Sequence, residues 1–400
     1  MRKKSSIPYT WYMSGTDHWR RLSNIKQRNH QTTRRFPRGE VMGINEKHSQ
    51  VNIYDVSEHA GVSIATVSRV LNQSDKVTAK TRDKVLASIK ALGYQPNVFA
   101  RGLGLGSMKT IGIMVTDASD TFLAKCVYHT EQELKRHGYS AILTCTGEEL
   151  SSKKRSLKRL MSKQIDGLIL IGSSYAEEKV SDQDYLRKAA RSIPVVLING
   201  RMDGKGIYCI YSNDFEAMFQ TTSALLAAGR RRILYLYWAD SYSGRQKLAG
   251  YRAAMGAAGV RVNGRYLIRI SKELAAIDSC LRNQIASMSD EQSDSNPHSC
   301  PVDAVIGAED IFAVAALKLA QEYGVAIPDQ VQIIGYNNSI LSQCTMPELT
   351  TIDNHCADMA KGAASILIQV LEGQQTSQET MVPCRLVQRG TTHFAGDTGI

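Results

Sequence analysis

Two kinds of hydrophobic pattern divide the 400-residue chain. Between residues 53 and 92, apolar residues recur at helical spacing in three short groups, which predicts three packed helices. From residue 109 onward, short apolar runs of strand length alternate with amphipathic stretches. This alternation predicts parallel sheets with helices on both faces. We therefore expect a small all-α unit followed by a larger α/β unit.

The junction between the first two helical groups predicts a helix-turn-helix. Ile53, Val56 and Ala60 form one apolar stripe, and Ala60 is small enough to let a second helix cross closely. Gly61 can adopt positive φ without strain, so it suits the end of the first helix. Ser63 is a favourable N-cap for the second helix. A short Gly-containing turn between crossing helices is the arrangement that places its second helix in a DNA groove.

The second helix has an inward and an outward face. Its predicted inward stripe is Val67, Val70 and Leu71. The outward side chains lie near its N-terminal end, where recognition helices touch base edges, and they are Ile64, Ala65, Ser68 and Arg69. A third helix is predicted between an N-cap at Thr78 and a stop at Gly93, with Val85, Ile89 and Leu92 pointing inward.

Nine strand candidates in the larger unit fit two lobes better than one sheet. They are IGIMV (111–115), SAILTCT (140–146), GLILI (167–171), PVVLING (194–200), IYCIY (207–211), ILYLYW (233–238), YLIRI (266–270), AVIGA (304–308) and QIIGY (332–336). Helical patterns lie between them at 123–137, 151–163, 214–228, 246–258 and 310–323. The polar run 287–301 predicts a surface loop.

Positive charge is concentrated at the start of the chain. Residues 1–50 hold eleven Lys and Arg against three acidic residues, a net +8, and residues 51–110 hold eight against four, a net +4. Since the whole chain carries +11, a net charge of −1 remains for residues 111–400. The basic character therefore supports nucleic-acid binding by the first quarter of the chain, and not by the body.

The first fifty residues have no apolar run typical of a signal or anchor and no convincing apolar period, which predicts disorder. Two interpretations fit this basic segment. It adds non-specific DNA affinity as a basic arm, or translation of the native protein begins at Met42, just before the helix-turn-helix. We favour the second.

No catalytic, metal or cofactor motif is found in the sequence. The eight cysteines are scattered without a C-x-x-C pair, and the nine histidines form no H-x-x-x-H or HExxH set. No Walker or G-x-S-x-G sequence occurs, and the glycines at 102, 104 and 106 precede a strand, whereas those of a dinucleotide loop follow one. With no transmembrane run, we expect a cytoplasmic protein that is not an enzyme, with free thiols and no cofactor.

The chain resembles the LacI/GalR family of bacterial transcriptional regulators over about residues 52 to 393. In the first part the resemblance rests on YDVSEHAGVSIATVSRVLN, VTAKTRDKV and GYQPNVFARGL; in the body it rests on DGLILIGSS, PVVLINGR, KLAGY, AVIGAEDIFAVAALK, VQIIGYNN and MPELTTI. The resemblance implies an α/β protein with a helix-turn-helix headpiece (51–95), a hinge (96–108) and an effector-binding and dimerisation domain (109–395). That domain is expected to be periplasmic-binding-protein-like, with two lobes of doubly wound parallel sheets and a ligand cleft between them.

The resemblance also implies DNA contacts. Base contacts are expected from Ile64, Ala65 and Arg69, and phosphate contacts from Ser63, Thr66, Ser68 and Asn72. In the hinge the expected DNA-binding residues are Asn97, Arg101 and Leu103. Leu103 takes the position of the family's minor-groove wedge, which unstacks a base step and kinks the duplex. The alternatives are an ordinary solvated Arg69 and a Leu103 that belongs to the next core.

Alignment to the family implies seven effector-binding residues: Phe122, Ser173, Ser174, Arg201, Lys247, Glu309 and Asn337. Three depart from common sugar-binding members: Lys247 replaces an arginine, Glu309 an Asn or Asp, and Asn337 an Asp. A lysine ammonium cannot donate the two parallel hydrogen bonds of an arginine guanidinium. The hydroxyl pattern and charge of the ligand therefore cannot be inferred from the sugar-binding members of the family. Other interpretations are a core role for Phe122, an exposed loop position for Arg201, and a structural Lys247–Glu309 pair.

The predicted function is a transcriptional regulator, more specifically a repressor that binds a pseudopalindromic operator in double-stranded DNA as a homodimer. A small-molecule effector, expected to be a carbohydrate, controls that binding. We expect no association of the protein with a membrane. Three alternatives are a regulator whose DNA binding a corepressor or partner protein strengthens, a solute-binding module for transport, and an α/β enzyme. The last two are disfavoured, because a transport module needs a secretion signal and no headpiece, and an enzyme needs a phosphate loop or a nucleophile.

Overall fold

A computed structural model describes residues 51–71, 74–94, 107–290 and 300–394. The chain divides into two compact units, one up to Gln95 and one from Pro96. The predictions for the segment 1–50 and for hinge residues 96–106 lie outside the described residues.

The first unit consists of three helices, α1 (Ile53–Ala60), α2 (Ile64–Leu71) and α3 (Ala79–Leu92). Its buried core contains Val56, Ala60, Val67, Val70, Val85 and Tyr94. The other side chains predicted to point inward are partly buried against this core: Ile53, Leu71, Ile89 and Leu92. The predicted apolar stripes are therefore confirmed.

The boundaries of α1 and α2 are set by local contacts, because backbone groups at the helix ends find hydrogen-bond partners within a few residues. Asn52 and Asp55 form a reciprocal capping box at the start of α1, and such a box satisfies two otherwise unpaired amides. Gly61 ends α1 in the left-handed region, with φ 56° and ψ 42°. The Ser63 hydroxyl then accepts a hydrogen bond from the Thr66 amide at 3.2 Å, which caps α2. The predicted helix-turn-helix is confirmed.

The second unit contains twelve strands and eight helices among its described residues. The strands are β1 (Thr110–Val115), β2 (Ser140–Cys145), β3 (Gly167–Ile171), β4 (Val195–Ile198), β5 (Ile207–Ser212), β6 (Ile233–Tyr237), β7 (Leu267–Arg269), β8 (Ala304–Gly307), β9 (Gln332–Tyr336), β10 (Thr350–Asp353), β11 (Glu379–Val382) and β12 (Arg385–Val387). The helices are α4 (Thr121–Arg136), α5 (Leu150–Met161), α6 (Asp184–Ala189), α7 (Asp214–Ala227), α8 (Tyr242–Ala257), α9 (Leu274–Asp290), α10 (Asp310–Glu322) and α11 (Cys356–Leu371).

These strands form two six-stranded sheets, one in each of two lobes. The sheet of lobe 1 has the order β11-β5-β4-β3-β1-β2 and the sheet of lobe 2 the order β12-β10-β9-β8-β6-β7. Neighbouring strands are parallel except for β12, which runs antiparallel to β10. The chain therefore crosses between the lobes three times, after β5, after β10 and after β11. The predicted two-lobed α/β architecture is confirmed.

Each sheet is covered on both faces. In β1, Ile111, Ile113 and Val115 pack into one buried cluster, whereas Met114 packs into another on the opposite face. The two clusters of lobe 2 likewise divide successive residues of β6 between them. Because side chains alternate along a strand, burial on both faces makes these strands continuously apolar, and for this reason they were detectable in the sequence.

All nine predicted strands are present, and three further strands were missed. The missed strands are β10, β11 and β12, which are three or four residues long. The last two are partly exposed edge strands, so they lack the continuous apolar run of a central strand. The loop predicted at 287–301 begins too early, because α9 extends to Asp290.

Helices α7 and α8 cross closely at Gly250 of the KLAGY motif. A Cβ atom at this position would lie 2.3 Å from the Phe215 carbonyl oxygen and 3.0 Å from the Phe219 amide nitrogen. Both atoms belong to the backbone of α7, so they cannot move aside as the end of a flexible side chain can. The absence of a side chain at Gly250 is what permits this crossing.

We expect Gly250→Ala to destabilise the protein by about 1–3 kcal/mol, because the added methyl group forces the two helices apart. Gly256→Ala is the matched control: it lies in the same helix, and its Cβ would meet nothing within 4 Å. That change should stabilise by up to about 1 kcal/mol through helix propensity alone. Thermal unfolding of both variants measures the difference, and equal effects would show that the crossing tolerates a methyl group.

Candidate functional site

The exposed face of α2 is the candidate DNA-recognition surface. Ile64 is 39% exposed; Ala65 and Arg69 are also exposed, and Thr66 and Ser68 are half-buried. Val67 and Val70, on the opposite side of α2, are buried in the three-helix core. The core therefore fixes which side chains face outward, and this face offers apolar groups that can contact thymine methyls and one guanidinium that can contact bases or phosphates.

The second candidate site is a cavity of about 450 Å³ between the two lobes. Its wall in lobe 1 includes residues that follow the carboxyl ends of strands: Thr116 after β1, Ser173 and Ser174 after β3, and Asn199 after β4. Lobe 2 contributes equivalent positions: Trp238 after β6, Glu309 after β8 and Asn337 after β9. Ligands of open parallel α/β sheets bind at this end of the strands.

Both lobes supply aromatic side chains to the cavity: Phe122 from lobe 1, and Tyr237 and Trp238 from lobe 2. Phe122 lies in the first turn of α4, where its amide donates a hydrogen bond to the Asp120 carboxylate at 3.0 Å. Trp238 follows β6 directly, and its indole Nε1 donates to Glu309 Oε1 at 2.8 Å. The Trp238 ring is therefore held by a hydrogen bond of its own, whereas the hydrogen bond at Phe122 holds only its backbone, at the N-cap of α4. Rings of this kind, together with convergent polar groups, suit small polar ligands.

Lys247 presents a buried ammonium group to the cavity. Its side chain is 6% exposed, and Nζ donates to the Ala308 carbonyl at 3.1 Å and lies 3.6 Å from the centre of the Tyr336 ring. Tyr336 is held in turn by a 2.5 Å hydrogen bond from its hydroxyl to Asp214, and burial raises the pKa of Tyr336. An ammonium group has three N–H donors, so Lys247 can donate further hydrogen bonds to a ligand.

Two serines connect the lobes across the cavity. The Ser173 hydroxyl donates to Ser241 Oγ at 2.9 Å, and Ser241 also caps α8 by accepting from the Gly244 amide. The turn that carries Ser173 is held from behind by Lys153, whose buried Nζ donates to the Ser174 carbonyl and to Glu177, both at 2.8 Å. The ion pair between the buried Lys153 ammonium and the partly exposed Glu177 therefore fixes this part of the cavity wall in lobe 1.

A second connection between the lobes is an ion cluster around Lys272. Its Nζ lies 2.6 Å from Asp120 Oδ2 in lobe 1 and 2.8 Å from Glu309 Oε1 in lobe 2. Burial alone would lower the pKa of Lys272, but Glu309 and Asp120 outweigh it, so the pKa is raised and the ammonium stays charged.

The loop after β9 is fixed by Asp310 at the start of α10. This carboxylate accepts hydrogen bonds from the amide and hydroxyl of Ser339 and from the hydroxyl of Thr351. Burial raises the pKa of Asp310. Asn337, which begins this loop, has a φ of 99° and accepts a hydrogen bond from Asn354 at 3.0 Å. These contacts hold Asn337 in the cavity wall.

Comparison with known proteins agrees with both parts of this structure. Residues 52–97 match bacterial regulatory proteins of the lacI family, and residues 222–392 match the periplasmic binding protein-like domain. An HTH-type transcriptional regulator of Lachnoclostridium phytofermentans is 45% identical over 344 residues, which are 86% of this chain and 100% of that protein. The chain belongs to the LacI family of bacterial transcriptional regulators.

Other relatives and solved structures are more distant. Catabolite control protein A of Priestia megaterium is 28% identical, over 86% of this chain and 99% of its own. The lac repressor dimer bound to operator and the anti-inducer ONPF has a TM-score of 0.74 at 24% identity, over 86% of this chain and 99% of that one; it shows the shared fold. A complex of the transcriptional regulator CelR with cellobiose has a TM-score of 0.60 at 25% identity, over 86% of this chain and 100% of that one.

Membership of the LacI family makes the chain a DNA-binding transcriptional regulator, a class of protein that is not enzymatic. Among the described residues, no group of His, Cys, Asp and Glu is arranged to hold a metal ion. No helix in the described ranges is long and apolar enough to cross a membrane.

The structure brings six of the seven predicted effector residues to one cavity: Phe122, Ser173, Ser174, Lys247, Glu309 and Asn337. Arg201 lies elsewhere, on the surface, where its Nε donates to Glu379 Oε1 of β11 at 2.9 Å. Lys247 does not pair with Glu309, because Lys272 takes that carboxylate. The predicted DNA-binding residues Asn72, Asn97, Arg101 and Leu103 lie outside the described residues.

Several residues of the LacI-type cavity were missed by sequence reasoning: Lys153, Trp238, Ser241, Ser243 and Lys272. Trp238 could have been found, because it is the last residue of the predicted strand ILYLYW (233–238) and therefore lies at the carboxyl end of the sheet. Lys272 gave no such signal, since it lies in an irregular segment between β7 and α9. Only the approach of the two lobes brings it to Asp120.

Proposed function

We propose that this regulator is a ligand-controlled repressor that binds a pseudopalindromic operator as a homodimer. The observation that carries the proposal is that one chain holds both an exposed recognition face on α2 and a two-lobed cavity with fixed aromatic and polar groups. The lac repressor structure, described as a dimer bound to operator, supports the DNA and dimer parts.

On the DNA side, Ile64, Ala65 and Arg69 read base edges, and the hydroxyls of Ser63, Thr66 and Ser68 contact phosphates together with Asn72. Ile64 and Ala65 have no polar side-chain group, so their contribution is apolar contact with thymine methyls. The proposed hinge residues Asn97, Arg101 and Leu103 complete the interface, with Leu103 as the minor-groove wedge.

On the ligand side, the occupant is a small polar molecule, and a carbohydrate is the class that fits best. A sugar ring presents apolar C–H faces and a rim of hydroxyls, which matches the rings of Phe122 and Trp238 and the donors and acceptors of Ser173, Lys247 and Asn337. The CelR complex contains cellobiose, which supports the same class. Ligand binding acts through linkage: it stabilises one angle between the lobes, and the operator stabilises the other.

We expect Arg69→Ala to weaken operator binding by about 1–3 kcal/mol and to relax the preference at one base pair. Selection from a random DNA pool with the wild-type protein supplies the operator, and fluorescence anisotropy measures both affinities. Lys90→Ala is the control, because it removes one exposed charge from α3 and leaves α2 unchanged. An equal loss on random DNA would mean that Arg69 contacts only phosphate.

We expect Lys247→Met to weaken ligand binding by about 2 kcal/mol, roughly thirtyfold in Kd, because it removes charge-assisted hydrogen bonds and keeps the apolar stem. Thermal shift against mono- and disaccharides identifies the test ligand, and gel shift with and without it gives the sign of regulation. Lys318→Met, at an exposed position of α10 in the same lobe, should respond as the wild type does. A normal response in the Lys247 variant would place that residue outside the binding site.

A further inference from the structure

The ammonium of Lys272 occupies a site built by three other residues. Nζ lies 2.6 Å from Asp120 Oδ2, 2.8 Å from Glu309 Oε1 and 4.4 Å from the centre of the Trp238 ring. Two carboxylates and an indole face are the elements of a cage for an organic ammonium. We call Asp120, Trp238 and Glu309 the cation cage. Its members come from both lobes, so whatever cation it holds connects them.

The cage is held in place by contacts that do not involve Lys272. Asp120 Oδ1 accepts hydrogen bonds from the amides of Phe122 and Leu123 at 3.0 Å each, since Asp120 is the N-cap of α4. Glu309 Oε1 accepts from Trp238 Nε1 at 2.8 Å. Lys272, by contrast, lies in an irregular segment and its side chain is 30% exposed. The walls are thus fixed independently of the occupant.

The cage needs a cation. Both carboxylates point at one position, and without a positive charge between them their repulsion would have to be relieved by protonation or by separation of the lobes. Either Lys272 or a cationic group of a ligand can satisfy this requirement. The two occupants compete for one position.

The cage also lies where a ligand binds. Its three residues and Lys272 line the 450 Å³ cavity and, on their other side, a second cavity of about 680 Å³. Ser243 lines the first cavity and is 4% exposed, and its Oγ has no hydrogen-bond partner among the described residues. The cage therefore opens onto the same cavity as the buried residues Lys247 and Ser243.

We propose that the cation cage is a subsite for a primary ammonium group of the ligand, occupied by Lys272 in the ligand-free chain. The ligand class is then an amino sugar or a comparable polyhydroxylated amine. Its ammonium displaces Lys272 and bridges Asp120 to Glu309, while its hydroxyls reach Lys247. This inference rests on the proposed ligand control of the regulator and narrows it to one ligand class.

The first experiment empties the cage. In Lys272→Met, n-butylammonium, which copies the end of a lysine side chain, should bind at least tenfold more tightly than in the wild type. Trp238 fluorescence reports binding, since the other tryptophans, Trp11 and Trp19, precede the headpiece, and Trp238→Phe confirms the assignment of the signal. Neutral n-butanol is the matched probe and should show no gain.

Adding Asp120→Asn to Lys272→Met should remove the gain for n-butylammonium. Lys272→Gln is a second variant that removes the ammonium and should show the same gain. Circular dichroism of each variant checks that a change in binding does not come from misfolding. Equal binding of n-butylammonium by the wild type and by folded Lys272 variants would overturn the proposal.

The second experiment tests the ligand class in the wild-type protein. Matched pairs of glucosamine and glucose, galactosamine and galactose, and mannosamine and mannose are compared by thermal shift and Trp238 fluorescence. At least one amine should bind ten times more tightly than its neutral counterpart, and Asp120→Asn should abolish that preference. If the neutral sugars bind as well as the amines, the cation subsite is wrong while ligand control stands. If no sugar of either kind is bound, the proposed ligand control fails as well.

Discussion

The site depends on one constraint, which is that both sheets of the larger unit are essentially parallel and are covered on both faces. Strands such as β3 and β9 are buried along their whole length, so they cannot carry solvated polar groups within the sheet. Polar side chains therefore collect in the loops at the strand ends. Since parallel strands end on the same side, each lobe gathers its polar groups at one edge, and three crossovers place the two edges opposite each other.

Charged side chains of both signs line the cleft between the lobes. It is lined by six acidic and five basic side chains, and several of these charges are already paired inside the protein. Lys153 is bound to Glu177, Arg269 to Asp240, and Lys272 to Asp120 and Glu309. Lys247 differs, because its contacts are a backbone carbonyl and an aromatic ring. A ligand in the cleft therefore meets two different ammonium groups. Lys247 has N–H donors that make no hydrogen bond to the described residues, whereas Lys272 is already bound to two carboxylates and must be displaced or left in place.

Two hydrogen-bonded contacts between the lobes lie in this cleft, so a small ligand bound there can act on the whole unit. Ser173 reaches Ser241, and Asp120 reaches Lys272, across the gap. Both contacts involve helix N-caps, Ser241 of α8 and Asp120 of α4. A ligand that replaces one of these bonds therefore acts at the end of a long helix, and a helix transmits a displacement as a rigid element.

The sequence by itself determined the headpiece almost completely. Gly61, Ser63 and the stripe that contains Val67 act over a few residues, through φ preference, capping and helical periodicity, so local rules suffice. The nine apolar strands were detectable for a similar reason, since burial on both faces leaves a continuous run. Only the tertiary structure decided which further side chains line the cleft and which predicted residue lies outside it. Arg201 lies on the surface because β11 brings Glu379 beside it, and Lys272 belongs to the site because the lobes bring it to Asp120. These contacts join residues 178 and 152 positions apart, and no local pattern encodes a meeting at that separation.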